Sequence, residues 1–315
     1  MTARERVLAA INHQDGDRPP YIFEVCPDAH EALRAAGVMG DLSLETFLDN
    51  DIQDIHVPWW HWHELGPDWT EPDTPTSRAT VRGWGSYDNL GDRVKALRDQ
   101  SDKYFLLRIY ASHFEKAYMA RGIENFLADM AGDPSFARGL LNSVIEKNLV
   151  MLENVLSIAE IDGVLLGSDW GSQRGLLMRP STWQEMIRPG EQREYDLIHG
   201  YGKHVWVHSC GDIVQIVPSL VEMGLDVLNP IQPEAMDIHK LKADFGGQLT
   251  FWGGLSTQQT LPFGTPEEVK AEARSLMRTM GDGGGYIFSP AQGIQGDVPV
   301  SNILALLEVA REGGS

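Results

Sequence analysis

The sequence predicts an α/β protein: a single (β/α)8 TIM-type barrel over residues 1–315, with an N-terminal helical extension and a long Trp-rich loop over the carboxyl ends of the strands. Three observations predict it. Short apolar runs alternate with longer amphipathic stretches, the pattern of parallel strands joined by helical crossovers. Eight such runs occur, at residues 21–25, 52–57, 104–110, 163–166, 204–208, 227–231, 249–252 and 286–288. The length of 315 residues suits a closed eightfold barrel, whereas an open doubly wound sheet usually uses fewer strands per domain. No Pro-, Gly- or Ser-rich linker divides the chain, and no short-period repeat is present.

The elements follow in order. Thr2 and Glu5 have the spacing of a capping box, and Val7, Leu8 and Ile11 recur on one helical face. Gly16 and Pro19-Pro20 end that helix. The stretch 58–91, irregular and rich in tryptophan, reads as the long loop. Residues 136–159 are long and periodic, a helix. Ser181-x-x-Gln184 reads as a second capping box, and Thr265-Pro266-Glu267-Glu268 as a third, with proline at the first helical position. Gly283-Gly284-Gly285 reads as a turn before the last strand, since no Lys-Ser/Thr follows it to make a phosphate loop.

Composition narrows the function. A formal net charge of -19 argues against nucleic acid, where a basic face supplies most of the affinity, and against an anionic membrane. The two cysteines, Cys26 and Cys210, lie far apart, which excludes a disulfide scaffold and fits a cytoplasmic setting. The first residues hold acid and base with no apolar core of a signal peptide, and no run reaches the length of a membrane span.

In such a barrel the active site forms at the carboxyl ends of the strands. The fifth run ends in His208-Ser209-Cys210-Gly211-Asp212. Strand side chains alternate faces, so His208 and Cys210 aim at one point. Imidazole and thiolate together suit a borderline-soft cation such as zinc, although a half-buried pair without metal has the same spacing. The other ends carry Glu24 and Cys26; His56, Trp59, Trp60, His61, Trp62 and His63; Tyr110 and His113; Asp169 and Gln173; Gln232 and Glu234; Gly253 and Gly254; and Gln292. The tryptophans are either a packed lid or an aromatic wall for a ligand.

Several blocks resemble one family. They are Arg4 to His13 with Asp17-Arg18-Pro19-Pro20, Asp169-Trp170-Gly171-Ser172-Gln173-Arg174-Gly175-Leu176-Leu177, His208 to Asp212, Asn229 to Asp237, Trp252 to Gln258, and Ser289 to Gln295. They resemble the uroporphyrinogen decarboxylase superfamily nearly end to end, most strongly from Asp162 onward, and imply the same barrel. Porphyrinogen decarboxylases resemble one another in an arginine-rich Met-Arg-Gln-Ala-Gly-Arg-Tyr block after the first strand; here that place reads Glu24-Val25-Cys26-Pro27-Asp28-Ala29-His30, with no arginine. The cobalamin-linked zinc methyltransferases of the superfamily resemble this chain in the His-x-Cys pair, which they use with a later cysteine to hold zinc. Gln292 stands in the place of that cysteine. Cys26, beside Gln292 if the first and eighth strands are neighbours, is a compensating ligand.

The expected function is therefore methyl transfer between a small substrate or thiol and a corrinoid carried by a partner protein, with zinc held by His208, Cys210 and Cys26. Asp169, Glu234 and His56 are the expected catalytic residues. Glu24, Trp59, Trp60, Tyr110, Gln173, Gln232 and Gln292 are expected to meet the substrate. The alternatives are a decarboxylase-like lyase and a non-catalytic small-molecule or corrinoid-binding subunit. Related barrels often pair, which makes a homodimer an assembly to test.

Overall fold

The computed structural model describes residues 1–62 and 79–313. Eleven strands follow in chain order: β1 Ile52–His56, β2 Trp59–Trp62, β3 Ala79–Arg82, β4 Tyr104–Arg108, β5 Gly163–Gly167, β6 Gly171–Ser172, β7 Gly175–Leu176, β8 His204–His208, β9 Val227–Ile231, β10 Thr250–Leu255 and β11 Tyr286–Pro290. The succession of parallel strands and helices is that of the predicted TIM-type α/β fold. Seven of the eight predicted runs are strands: β1, β4, β5, β8, β9, β10 and β11. Two compact units are distinguished, one of Met1–Gln53, Asp102–Tyr104 and Asp226–Ser315, the other of Asp54–Ser101 and Phe105–Leu225.

In the first unit β10 pairs in parallel with both β9 and β11. The predicted opening helix forms at Ala3–Ile11 with its Thr2–Glu5 capping box, and Pro266–Gly281 forms with the Thr265–Glu268 box. The run 21–25 departs from expectation. It is held only by single parallel bridges, Tyr21 to Phe288 and Val25 to Ile294. On its other side the amides are taken by side chains: Tyr21 N–H donates to Asp51 Oδ2 at 2.8 Å and Phe23 N–H to Asn50 Oδ1 at 2.9 Å. Asp51 is buried and paired with the guanidinium groups of Arg6 and Arg18 at 2.6 and 2.7 Å, so a carboxylate rather than a strand completes this edge.

In the second unit, which holds β1 from Asp54 and β4 from Phe105, the strands run in the order β1, β4, β5 and β8. β5 is buried along its whole length, as expected of a parallel strand covered on both faces. Its register with β8 runs from Gly163 opposite His204 to Gly167 opposite His208, so the two strands end together.

Three expectations for this unit are corrected. The long helix spans Pro134–Leu156, two residues early, because Asp133 caps the Phe136 amide and Pro134 fits the first helical position. The Ser181–Gln184 capping box does not form. Pro180 opens the helix behind Arg179, and a π-helical turn, Trp183–Ile187, precedes the α-helix Arg188–Gly200. Pro189 lacks an N–H and its ring would crowd the carbonyl four residues back, which favours the wider turn. The stretch 58–91 is not all loop: β2 pairs antiparallel with β3, Trp59 opposite Arg82 and Trp62 opposite Ala79. Its tryptophans suit a half-buried ribbon, and Trp62 is fully buried. His63 and the rest of 63–78 lie outside the described residues. No helix among the described residues is long and apolar enough to cross a membrane.

Candidate active site

The loops after β5 and β8 are stitched together. Ser168 N–H donates to the His208 carbonyl at 2.8 Å, Trp170 N–H to Ser209 Oγ at 3.2 Å, and Asp212 N–H to the Ser172 carbonyl at 2.8 Å. Gly211 makes this approach possible. Its φ is +81°, and a Cβ there would stand 2.6 Å from the Gly171 carbonyl carbon. Only glycine takes both that conformation and that contact without strain.

Three ligand-capable atoms converge on this seam. Cys210 Sγ lies 3.2 Å from His208 Nε2, and His208 Nε2 lies 3.8 Å from Asp169 Oδ1. The same Oδ1 accepts the Cys210 N–H at 2.8 Å. All three side chains are half-buried and reachable from solvent. A tetrahedral zinc with bonds of about 2.0–2.3 Å has ligand-to-ligand edges of about 3.3–3.8 Å, so the spacing of thiol, imidazole and carboxylate fits.

Behind Asp169 stands Glu115, on the helix His113–Arg121. Its Oε2 accepts the Asp169 N–H at 3.1 Å and its Oε1 accepts the Tyr118 hydroxyl at 2.8 Å. Burial, then the neighbouring Glu115 carboxylate, pushes the Tyr110 and Tyr118 phenols well above their usual value, so both stay protonated donors. The Tyr110 ring packs against the end of β5, where a Cβ on Gly167 would stand 2.5 Å from a ring carbon. It also packs on Trp59, ring centres 4.5 Å apart. Trp60 stacks edge-on against Trp62 and carries the Lys116 ammonium 4.4 Å from its ring. Trp59 thus packs with Tyr110, and Trp60 with Trp62 and the Lys116 ammonium.

The other expected residues fall as follows. His56 ends β1 with its ring 4.9 Å from that of Trp84. Gln173 is exposed at the tip of the β6–β7 hairpin. In the first unit, the Cys26 N–H donates to the Ile294 carbonyl and Ile294 N–H to the Glu24 carbonyl, both at 2.8 Å. Glu24 and Cys26 therefore border the segment that follows Gln292, as the strand order predicts. Burial, then Asp28 and Glu24, raises the Cys26 thiol, which disfavours the thiolate a metal needs. Glu234 Oε1 accepts the Ser256 hydroxyl, and Gln232 is buried. Sequence reading did not single out Glu115 or Lys116, since a helical Glu-Lys pair reads as a solvated face.

Comparison with known proteins gives this geometry a family. The model of the family described as Uroporphyrinogen decarboxylase (URO-D) matches residues 91–313, which include Asp169, His208, Cys210, Glu234 and Gln292. A uroporphyrinogen decarboxylase of Pelodictyon phaeoclathratiforme is 31% identical over 80 residues, 24% of this chain and 22% of the relative. One of Mannheimia succiniciproducens is 22% identical over 182 residues, 55% of this chain and 47% of the relative. The chain thus spans less than half the length of these curated relatives in the matched regions. Among solved structures, a methyltransferase from Methanosarcina mazei superposes with a TM-score of 0.68 at 17% identity, covering 100% of both chains. At that identity the likeness concerns the fold.

Proposed function

Because the chain belongs to the uroporphyrinogen decarboxylase family, we propose that it is a metal-dependent methyltransferase, moving a methyl group between a small substrate or thiol and a corrinoid on a partner protein. One observation carries the reading: the convergence of Asp169, His208 and Cys210 at the paired ends of β5 and β8. Catalytic zinc sites take three protein ligands and keep a fourth position open, and these three residues would hold the ion. Bound there, zinc would supply Lewis acidity and lower the pKa of an acceptor thiol.

The protein's own groups have distinct tasks in this reading. The Cys210 amide fixes the Asp169 carboxylate, and Glu115 fixes the Asp169 backbone, so the ligand set is held before substrate arrives. Trp59, Tyr110 and Trp60 cover a flat or cationic substrate and exclude water. His56 and Gln173, in the same unit as the metal group, are proposed polar contacts. The net charge of -19 and the arginine-free 24–30 segment suit this better than a substrate with many carboxylates.

The names of the curated relatives support a second reading, decarboxylation of an organic acid without corrinoid. One experiment separates the two: incubation with methylcob(III)alamin and a panel of thiols, following loss of the methyl–cobalt absorbance. Zinc-dependent demethylation abolished in Cys210→Ala supports methyl transfer. No demethylation, with CO2 released from a porphyrinogen or smaller acid, transfers the assignment to the lyase. Tight corrinoid binding without either turnover leaves a binding subunit.

A further inference from the structure

A second group of ligand-type side chains lies in the second unit, away from solvent. His113 opens the helix His113–Arg121, and Glu191 and Glu194 share one face of the helix Arg188–Gly200, three residues apart. All three are 0% exposed. One nitrogen or carboxylate oxygen from each lies within 4.8 Å of the other two.

The group is incompletely satisfied by the protein. His113 Nδ1 lies 3.0 Å from Glu191 Oε1, which also accepts the Ser168 hydroxyl at 3.2 Å. Glu194 Oε1 accepts Asn148 Nδ2 at 3.0 Å. His113 Nε2 and Glu194 Oε2 are buried with no hydrogen-bond partner among the described residues, and the buried Tyr195 hydroxyl faces Glu191. Lys116 and Arg193 both act electrostatically on Glu194, but the Lys116 ammonium is engaged by Asn148 Oδ1 at 2.7 Å and by the Trp60 ring, and Arg193 pairs with Glu146 at 2.8 Å. Two carboxyls out of water need either a shared proton or a bound cation, and the unfilled lone pairs of this group are where a cation would sit.

We infer that His113, Glu191 and Glu194 hold a divalent transition-metal ion, separate from the Asp169–His208–Cys210 group. One imidazole and two carboxylates suit manganese, ferrous iron or zinc, and lack the thiolate that would select for softer ions. Asn148 and Ser168 orient the carboxylates from outside, as second-layer partners do. With all three side chains fully buried, the ion is structural: it ties two helices to Ser168, which follows β5 and precedes Asp169. It is acquired on folding.

The test is built so that it does not depend on the first centre. His208→Ala/Cys210→Ala is produced in medium supplemented with zinc and manganese, desalted, and its metal content measured by plasma mass spectrometry. The expected result is about one equivalent, with a melting temperature that falls when the protein is heated with a strong chelator. Adding Glu191→Gln or His113→Ala to that background should remove the metal; the isosteric glutamine guards against a mere packing defect. Folded double variant with no metal, and melting indifferent to chelator, overturns the inference and leaves a metal-free polar network. Metal retained in both added variants overturns it equally, by placing the ion elsewhere.

Discussion

Asp169 Oδ1 accepts the Cys210 N–H at 2.8 Å while lying 3.8 Å from His208 Nε2. One carboxylate thus fixes the backbone of the thiol-bearing loop and points at the imidazole. Asp169→Asn keeps an oxygen for that amide but loses the charge. The fold should survive, and zinc affinity should fall by at least the roughly 10–100-fold that losing an outer partner of a ligand costs, since Asp169 is proposed as a ligand itself. Competition with a chromophoric chelator measures it; unchanged affinity would remove Asp169 from the ligand set.

Cys210 and Cys26 should behave oppositely. If the proposed centre holds zinc, Cys210→Ala should lose it. Cys26→Ser should keep it, because three ligand-capable side chains already meet around His208 and the Cys26 thiol is pushed up by burial and by two neighbouring carboxylates. Metal content of the two variants side by side decides this. Loss in Cys26→Ser would make Cys26 a ligand after all.

Much of this was legible in the sequence because parallel strands are apolar on both faces, and because a two-residue period brings His208 and Cys210 to one side. The run 21–25 misleads for a physical reason: it is apolar like a strand, but Asn50 and Asp51 take the amides a neighbouring strand would use. The Trp59–Trp62 ribbon was hidden because its partner, Ala79–Arg82, is remote in sequence. Glu115, Lys116, Glu191 and Glu194 were hidden more deeply. A buried charge has no local signature; only the three-dimensional neighbours Asn148, Ser168 and Trp60 reveal it.

Lys116 should leave a mark on the pH dependence of stability. Burial drives its ammonium down to about 7, with Glu194 opposing. Its unfolded value is the ordinary 10.5. Between those values the unfolded chain binds the extra proton, so this residue makes stability rise with pH across that window; below about 7 both states are protonated and the slope vanishes. Chelator-treated wild type should therefore gain stability from pH 7 to pH 10 relative to Lys116→Met. Parallel urea-unfolding profiles for the two proteins would show that Lys116 is ordinary in the folded state.

Gly211 tests whether the seam between the two loops organises the site. Its φ of +81° disfavours any L side chain, and a Cβ would press within 2.6 Å of Gly171 and Ser172 backbone atoms. Gly211→Ala should cost about 1–3 kcal/mol, from backbone strain and overpacking together. In a domain of this size that is roughly 2–4 °C of melting temperature per kcal/mol. Because the seam carries Asp169 on one side and Cys210 on the other, zinc affinity should fall in the same variant. Gly247→Ala, where a Cβ meets open space, is the matched control and should change neither. A Gly211→Ala protein that melts early but binds zinc normally would show that the ligands are held by their strands, β5 and β8, rather than by the contact between the loops.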